Sequence, residues 1–141
     1  MDFFRIGLIG AGSIGTRHIK AIDELAPIEL VAVADPSPAA RALGDSRNIE
    51  VFADAESMLS ETDVEAVIIA TPTERHHADV MTALKYRKTV LVEKPITATM
   101  KEAEEVTRYA AEQECQVLVG HQRRYYPVSY THLRAHETTP H

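Results

Sequence analysis

The sequence predicts an α/β protein built on a doubly wound parallel sheet. Short β-branched, apolar runs alternate with longer segments of helical periodicity up to about residue 120. Several of the short runs, such as Val67-Ile68-Ile69 and Val90-Leu91-Val92, are apolar throughout. A glycine-rich turn stands between the first run and the helix that follows it. Alternating strands and helices make βαβ units with parallel strands. A strand that is apolar on both sides has both faces covered, as parallel sheets do.

Taken in order, the first strand falls at 5–9 and runs into Gly10-Ala11-Gly12-Ser13-Ile14-Gly15, which opens a helix over 13–25. A second strand, 29–34, ends at Asp35; a helix over 37–44 and a short strand at 50–52 follow. Asp54 is a natural start for a helix at 55–60. The fourth strand, 66–70, runs into Thr71-Pro72, where proline halts it, and Thr73 is placed to cap a helix over 75–86. The fifth strand, 89–92, leads into Glu93-Lys94-Pro95. Thr99-Met100-Lys101-Glu102 reads as a capping box opening 100–113, before a sixth strand at 116–119. After Tyr126 the pattern stops. The stretch 128–141 has neither strand alternation nor a sustained helical face, and reads as a tail, disordered or foreign to the domain. His132 and His136 would share a helix face there, but no cysteine or carboxylate cluster supports a metal site.

A chain of 141 residues, 45% hydrophobic and 26% charged, has the make-up of one globular domain with a real core. Its net charge of −6 argues against nucleic acid as a partner, which requires a basic face. No apolar run reaches the length of a membrane span, and the N-terminus lacks the basic start and long apolar core of a signal peptide. Cys115 is the sole cysteine, so an internal disulfide and a thiolate metal cluster are both excluded. The cytoplasm is the natural reading.

A strand, a glycine turn, a helix and a second strand ending in a carboxylate form the fingerprint of a dinucleotide-binding unit. Gly10 permits the tight turn, Gly12 lets the backbone approach a pyrophosphate, and Gly15 lets the helix pack close to the strand. The N–H groups of the helix start, around Ala11, Ser13 and Ile14, favour an anion. Asp35 is placed for ribose hydroxyls. Methyltransferases that use S-adenosylmethionine begin in a similar way, so this block alone leaves two readings. Thr71, Pro72 and Thr73 end the fourth strand in the same crevice. They read as contacts for ribose and pyrophosphate or as a plain turn before a helix. Of the adjacent His76 and His77, the spacing from Pro72 favours His76 for the crevice, although a lone histidine is more often structural. Lys94 puts an ammonium where a bound nicotinamide would lie, ready to hydrogen-bond a substrate hydroxyl. Its bland alternative is a surface Glu93–Lys94 pair before a proline turn.

Four blocks in order and spacing resemble the glucose–fructose oxidoreductase, inositol dehydrogenase and rhizopine-catabolism (Gfo/Idh/MocA) oxidoreductases. They are Gly10–Gly15 with Asp35, Ala70-Thr71-Pro72 with His76 and Ala83-Leu84, Val92-Glu93-Lys94-Pro95, and Gly120-His121-Gln122-Arg123-Arg124-Tyr125 with Pro127. The resemblance covers about residues 4–127 and disfavours a methyltransferase. It implies a Rossmann domain over 1–127, with a non-family tail over 128–141 that resembles vector or sequencing-artefact sequence. It further implies that Lys94 is the catalytic lysine, Glu93 a cofactor contact, and Gln122 a neighbour of cofactor or substrate. Arg123 and Arg124 would bind substrate or brace a domain junction. The Lys94–Pro95 bond is expected to be cis. Arg87 stands where the family usually has glycine. Such enzymes continue into a second domain that carries the acid/base pair, the substrate surface and the oligomer contacts, so the chain is expected to lack its substrate half. The intact protein is expected to move hydride between NAD and a secondary alcohol of a polyol or sugar, with an inositol as the leading class. Asp35 favours NAD over NADP, and the nearby Arg41 keeps NADP open. A dinucleotide-binding sensor and an imine or tetrapyrrole reductase are the alternatives.

Overall fold

In the computed structural model of the protein, residues 3–25 and 27–120 are described. Gln122, Arg123, Arg124 and the tail over 128–141 lie outside the described residues. Six parallel strands, β1 (Phe4–Ile9), β2 (Ile28–Ala34), β3 (Glu50–Phe52), β4 (Ala66–Ile69), β5 (Thr89–Glu93) and β6 (Val117–Gly120), form one sheet in the order β3-β2-β1-β4-β5-β6. Between them run α1 (Ser13–Asp23), α2 (Pro38–Arg47), α3 (Ala55–Glu61), α4 (Thr73–Lys85) and α5 (Met100–Gln113). This is the doubly wound α/β sheet expected from the sequence.

Two-residue alternation along the strands sorts the core into two layers, with a register shift in β2 opposite Ile6 and Gly7 that brings Leu30 and Val33 to the same face. Ile6, Leu8, Leu30, Val33, Ala66 and Ile68 pack with Ile19 and Ile22 of α1 and Ala40 of α2. On the other face Ile9, Val67, Ile69, Val90 and Val92 pack with α3, α4 and α5 through Met58, Leu59, Val80, Leu84 and Val106. The helices change face after β3, so the chain winds outward from β1 to β3 and then from β4 to β6. The order reverses between β1 and β4, and in such sheets the crevice that takes ligands lies beside that reversal, at the carboxyl ends of the strands.

Local chemistry explains the element ends. Asp54 caps α3 by accepting the Ser57 N–H at 2.8 Å, and Thr99 caps α5 by accepting that of Glu102 at 3.1 Å. Ser37 caps α2 through the Ala40 N–H at 3.2 Å. The sequence stopped α2 at 44, but the helix runs on to Arg47. Gly44 is buried where a side chain would strike Val51, so it is a packing position, and Asn48, left-handed at φ 58°, ends the helix instead. Thr73 is not the cap expected of it. Pro72 holds the N-cap position with φ −59° and ψ 152°, without a side-chain bond, and Thr73 is already the first helical residue. Proline's ring suits an extended residue at that junction, and α4 therefore starts two residues earlier than the helical periodicity indicated.

Candidate functional site

The sheet register aligns the ends of the strands. Phe52, Ala34, Ile9, Ile69, Val92 and Val119 form one row across all six strands. The next residue along each strand brings Asp35, Gly10, Ala70, Glu93 and Gly120 to a common edge, with Thr71 and Lys94 one step further. Residues scattered from position 10 to position 94 thus meet along one crevice.

At its centre Gly10 adopts φ +95°, and a Cβ there would lie 2.8 Å from the Ala70 carbonyl and 2.9 Å from the Thr71 nitrogen. A side chain at Gly15 would collide with the Gly10 carbonyl oxygen. These two glycines bring α1 and the β4 loop into contact with the turn. Gly12 differs: nothing lies within 4 Å of where its Cβ would be. It is exposed at the N-cap of α1, and no side chain among the described residues caps that helix start. Ser13 and Ile14 supply the first helical peptides. A bare glycine crest in front of uncapped N–H groups is what a pyrophosphate requires. The turn fits a dinucleotide.

Asp35 joins this turn to the second strand. Its carboxylate accepts the Ala11 N–H at 2.7 Å and the Ser37 N–H at 2.8 Å. Partial burial works against its charge, but these N–H groups and the Ser37 hydroxyl outweigh it and hold the carboxyl below its ordinary 3.8. A cleft of about 320 Å³ beside it is lined by Asp35, Ser37, Arg41, Asp45, Val51 and Phe52. A larger cleft, of about 560 Å³, lies at the other end of β2 by Phe3, Asp23 and Arg47, and holds none of the crevice groups.

On the far side, Thr71 is tied down twice. Its hydroxyl donates to Asp79 at 2.8 Å, and its carbonyl lies 2.9 Å from His76 Nε2. His76 Nδ1 is 2.8 Å from the Pro95 carbonyl, and the ring is 2% exposed. The sequence favoured His76 for the crevice and also left it a structural reading. Its ring is buried with both nitrogens facing backbone carbonyls, a brace between the β4 and β5 loops. His77 turns away to Glu105 of α5, at 3.0 Å. Pro72 is exposed and Thr73 half-buried at the mouth.

Glu93 is 8% exposed, so the surface Glu93–Lys94 pair is not what forms. Its Oε2 lies 2.8 Å from Nε2 of His18, itself 3% exposed in the middle of α1. Burial is the main influence on His18 and lowers its pKa below 6.5, against the pull of the Glu93 carboxylate. Lys94 itself is exposed, its N–H donates to the Gly120 carbonyl at 3.0 Å, and its bond to Pro95 is cis, as the resemblance implied. Among the described residues no group of three His, Cys, Asp or Glu side chains is placed to hold a metal. None of their helices is long and apolar enough to cross a membrane.

His18 and Asp79 were missed in the sequence, though each left a signal. Gly15, His18, Ile19 and Ile22 repeat at helical spacing on the buried face of α1, as do His76, Asp79, Val80 and Ala83 on α4. A polar side chain on such a stripe must find a buried partner.

The model of the oxidoreductase family with an NAD-binding Rossmann fold matches residues 4–121. The chain belongs to that family. It is 34% identical to the rhizopine catabolism protein MocA of Rhizobium meliloti over 127 residues, 90% of this chain and 40% of that protein. It is also 34% identical to an inositol 2-dehydrogenase of the same species over 124 residues, 87% of this chain and 37% of that one. Among solved structures it resembles apo scyllo-inositol dehydrogenase from Lactobacillus casei, with a TM-score of 0.82 and 26% identity, over 97% of this chain and 41% of that one. The WlbA dehydrogenase from Bordetella pertussis, in complex with NADH and UDP-GlcNAcA, aligns with a TM-score of 0.80 and 26% identity over 84% of this chain and 35% of that one. The chain therefore spans about two-fifths of the length of the curated relatives it matches.

Proposed function

We propose that this chain is the cofactor-binding part of an NAD-dependent dehydrogenase that oxidises a secondary alcohol of a polyol or sugar, an inositol before others. The observation that carries this reading is the common edge shared by the glycine turn, Asp35 and the Glu93-Lys94 strand end. The inositol 2-dehydrogenases among its relatives support the substrate class.

Bound NAD supplies the hydride acceptor. The bare crest at Gly12 and the N–H groups of Ser13 and Ile14 receive the pyrophosphate, and Gly10 and Gly15 keep the turn tight enough for it. Asp35, held ionised by Ala11 and Ser37, accepts ribose hydroxyls with its remaining lone pairs and repels a 2′-phosphate. Arg41 on the same cleft tempers that repulsion, so NADP is the weaker cofactor. Thr71, Pro72 and Thr73 close the opposite wall. Lys94 donates a hydrogen bond to the substrate hydroxyl and stabilises the alkoxide that develops as its proton departs. The group that takes the proton and most of the substrate surface belong to the remainder of the intact protein, where homo-oligomer contacts also lie. Gln122 is proposed as a further neighbour of the nicotinamide.

The test is NADH formation by the full-length protein over a panel of inositols, sugars and acyclic polyols. Lys94→Ala is expected to lower kcat by about 10²–10³, the usual loss when one oxyanion donor is removed, with NAD affinity nearly unchanged. A full-length protein that binds NAD yet oxidises no member of the panel overturns the reading.

A further inference from the structure

The hydrogen bond between His18 and Glu93 joins residues 75 positions apart, on the helix that begins at the glycine turn and on the strand that ends beside Lys94. Alternation along β5 puts Val90 and Val92 on the α4 and α5 face, and Leu91 and Glu93 on the face of α1. On α1, His18 shares its buried stripe with Gly15, which abuts the Gly10 carbonyl. Two apolar side chains would close this gap at lower cost, since a buried imidazole and carboxylate both give up hydration. What the polar pair adds is direction: a 2.8 Å bond fixes where the strand end lies against the helix.

The backbone around Lys94 is then held at three points. Glu93 is fixed through its carboxylate to His18, the Lys94 N–H is bonded to the Gly120 carbonyl at 3.0 Å, and the Pro95 carbonyl is 2.8 Å from His76. The exposed Lys94 side chain projects from this frame. We propose that His18 is a positioning residue that acts through Glu93 to hold the Lys94 strand end in register with the glycine turn, so that lysine and dinucleotide keep one fixed relation. This rests on the dehydrogenase reading for its kinetic arm alone. A displacement of about 1 Å in such a group is enough to cost roughly 100-fold in rate.

The pairing runs through Nε2, so glutamine, whose amide nitrogen reaches a similar distance, replaces it, whereas asparagine falls short. In the full-length protein His18→Asn is expected to lower kcat at least about tenfold while the NAD dissociation constant changes less than about threefold. His18→Gln is expected to recover kcat to within about threefold. A second readout needs no turnover. With lysines ¹³C-dimethylated and the Lys94 signal assigned by Lys94→Arg, saturating NAD is expected to shift that signal in wild type and His18→Gln. In His18→Asn, equally saturated, the shift is lost. A Lys94 signal that ignores NAD in wild type, or moves alike in all three proteins, overturns the inference. So does a loss of kcat in His18→Asn that only follows its loss of folded protein or of NAD affinity. Wild type without polyol turnover, but with the expected Lys94 shifts, overturns the dehydrogenase reading and leaves the positioning role supported.

Discussion

The Asp35 carboxylate accepts the N–H of Ala11 at 2.7 Å, so the residue that ends the second strand also shapes the glycine turn after the first. Its other oxygen accepts the N–H of Ser37. One side chain therefore ties the turn to the start of α2. The ribose contact proposed for Asp35 would fall to this same carboxylate.

Asp35→Asn keeps the shape but loses the charge, and one of the two N–H groups then faces an amide donor. NAD binding is expected to weaken and the NAD/NADP preference to fall at least about fivefold, because the repulsion of a 2′-phosphate is gone. Titration of NADH and NADPH fluorescence checks this. The folded carboxyl lies below its ordinary 3.8, so the unfolded state binds more protons in that window. Its contribution is complete above 3.8 and is lost as pH falls through the folded value. Denaturation of Asp35→Asn between pH 5 and 3 is expected to show a shallower loss of stability, on the order of the linkage for one carboxyl.

His18 has the opposite protonation chemistry and the same sign on the pH axis. Burial holds its pKa below 6.5, so between those values the unfolded chain takes up a proton that the folded one refuses. Stability is therefore expected to rise with pH through the window below 6.5 and to level off above it. His18→Gln removes that titration. Urea melts at pH 5 and 7.5 should differ less for the variant than for wild type.

The three glycines of the turn are expected to fail in different ways. Gly12→Ala puts a methyl group into open space, so the melting temperature should hold while NADH affinity falls. Gly10→Ala places a Cβ 2.8 Å from the Ala70 carbonyl at φ +95° and should destabilise the fold by about 2 kcal/mol or more. Gly15→Ala should resemble Gly10→Ala. Circular-dichroism melts paired with NADH titration separate the two classes.

Arg87 sits at φ 57°, a left-handed conformation that costs a non-glycine residue about 1–2 kcal/mol. Glycine relieves that strain but adds entropy to the unfolded chain, worth about 0.5–1 kcal/mol. Arg87→Gly is expected to stabilise the protein by roughly 0.5 kcal/mol. Chemical denaturation would detect it, and a destabilised variant would point to a contact of the Arg87 side chain.

The sequence by itself determined the strand order of events: where apolar runs start, where glycine and proline interrupt them, and that Asp35, Thr71 and Lys94 each follow a strand. Those are local facts, written in periodicity and in residues with special backbone needs. It also located the caps at Asp54 and Thr99, because a cap and its helix are neighbours in the chain. At Arg87 it showed only a departure from the family's glycine; the left-handed backbone there is a finding of the structure.

Only the tertiary structure decided the partners. That Glu93 is buried against His18, that His76 braces two loops with both ring nitrogens, and that Asp79 holds Thr71 all depend on which face of a strand meets which helix. Such pairs are 75, 19, 5 and 8 residues apart, and the last two are close in sequence yet still unreadable. Their geometry is fixed by the packing of α1 and α4 on the sheet, where a buried polar group takes whichever partner the register supplies.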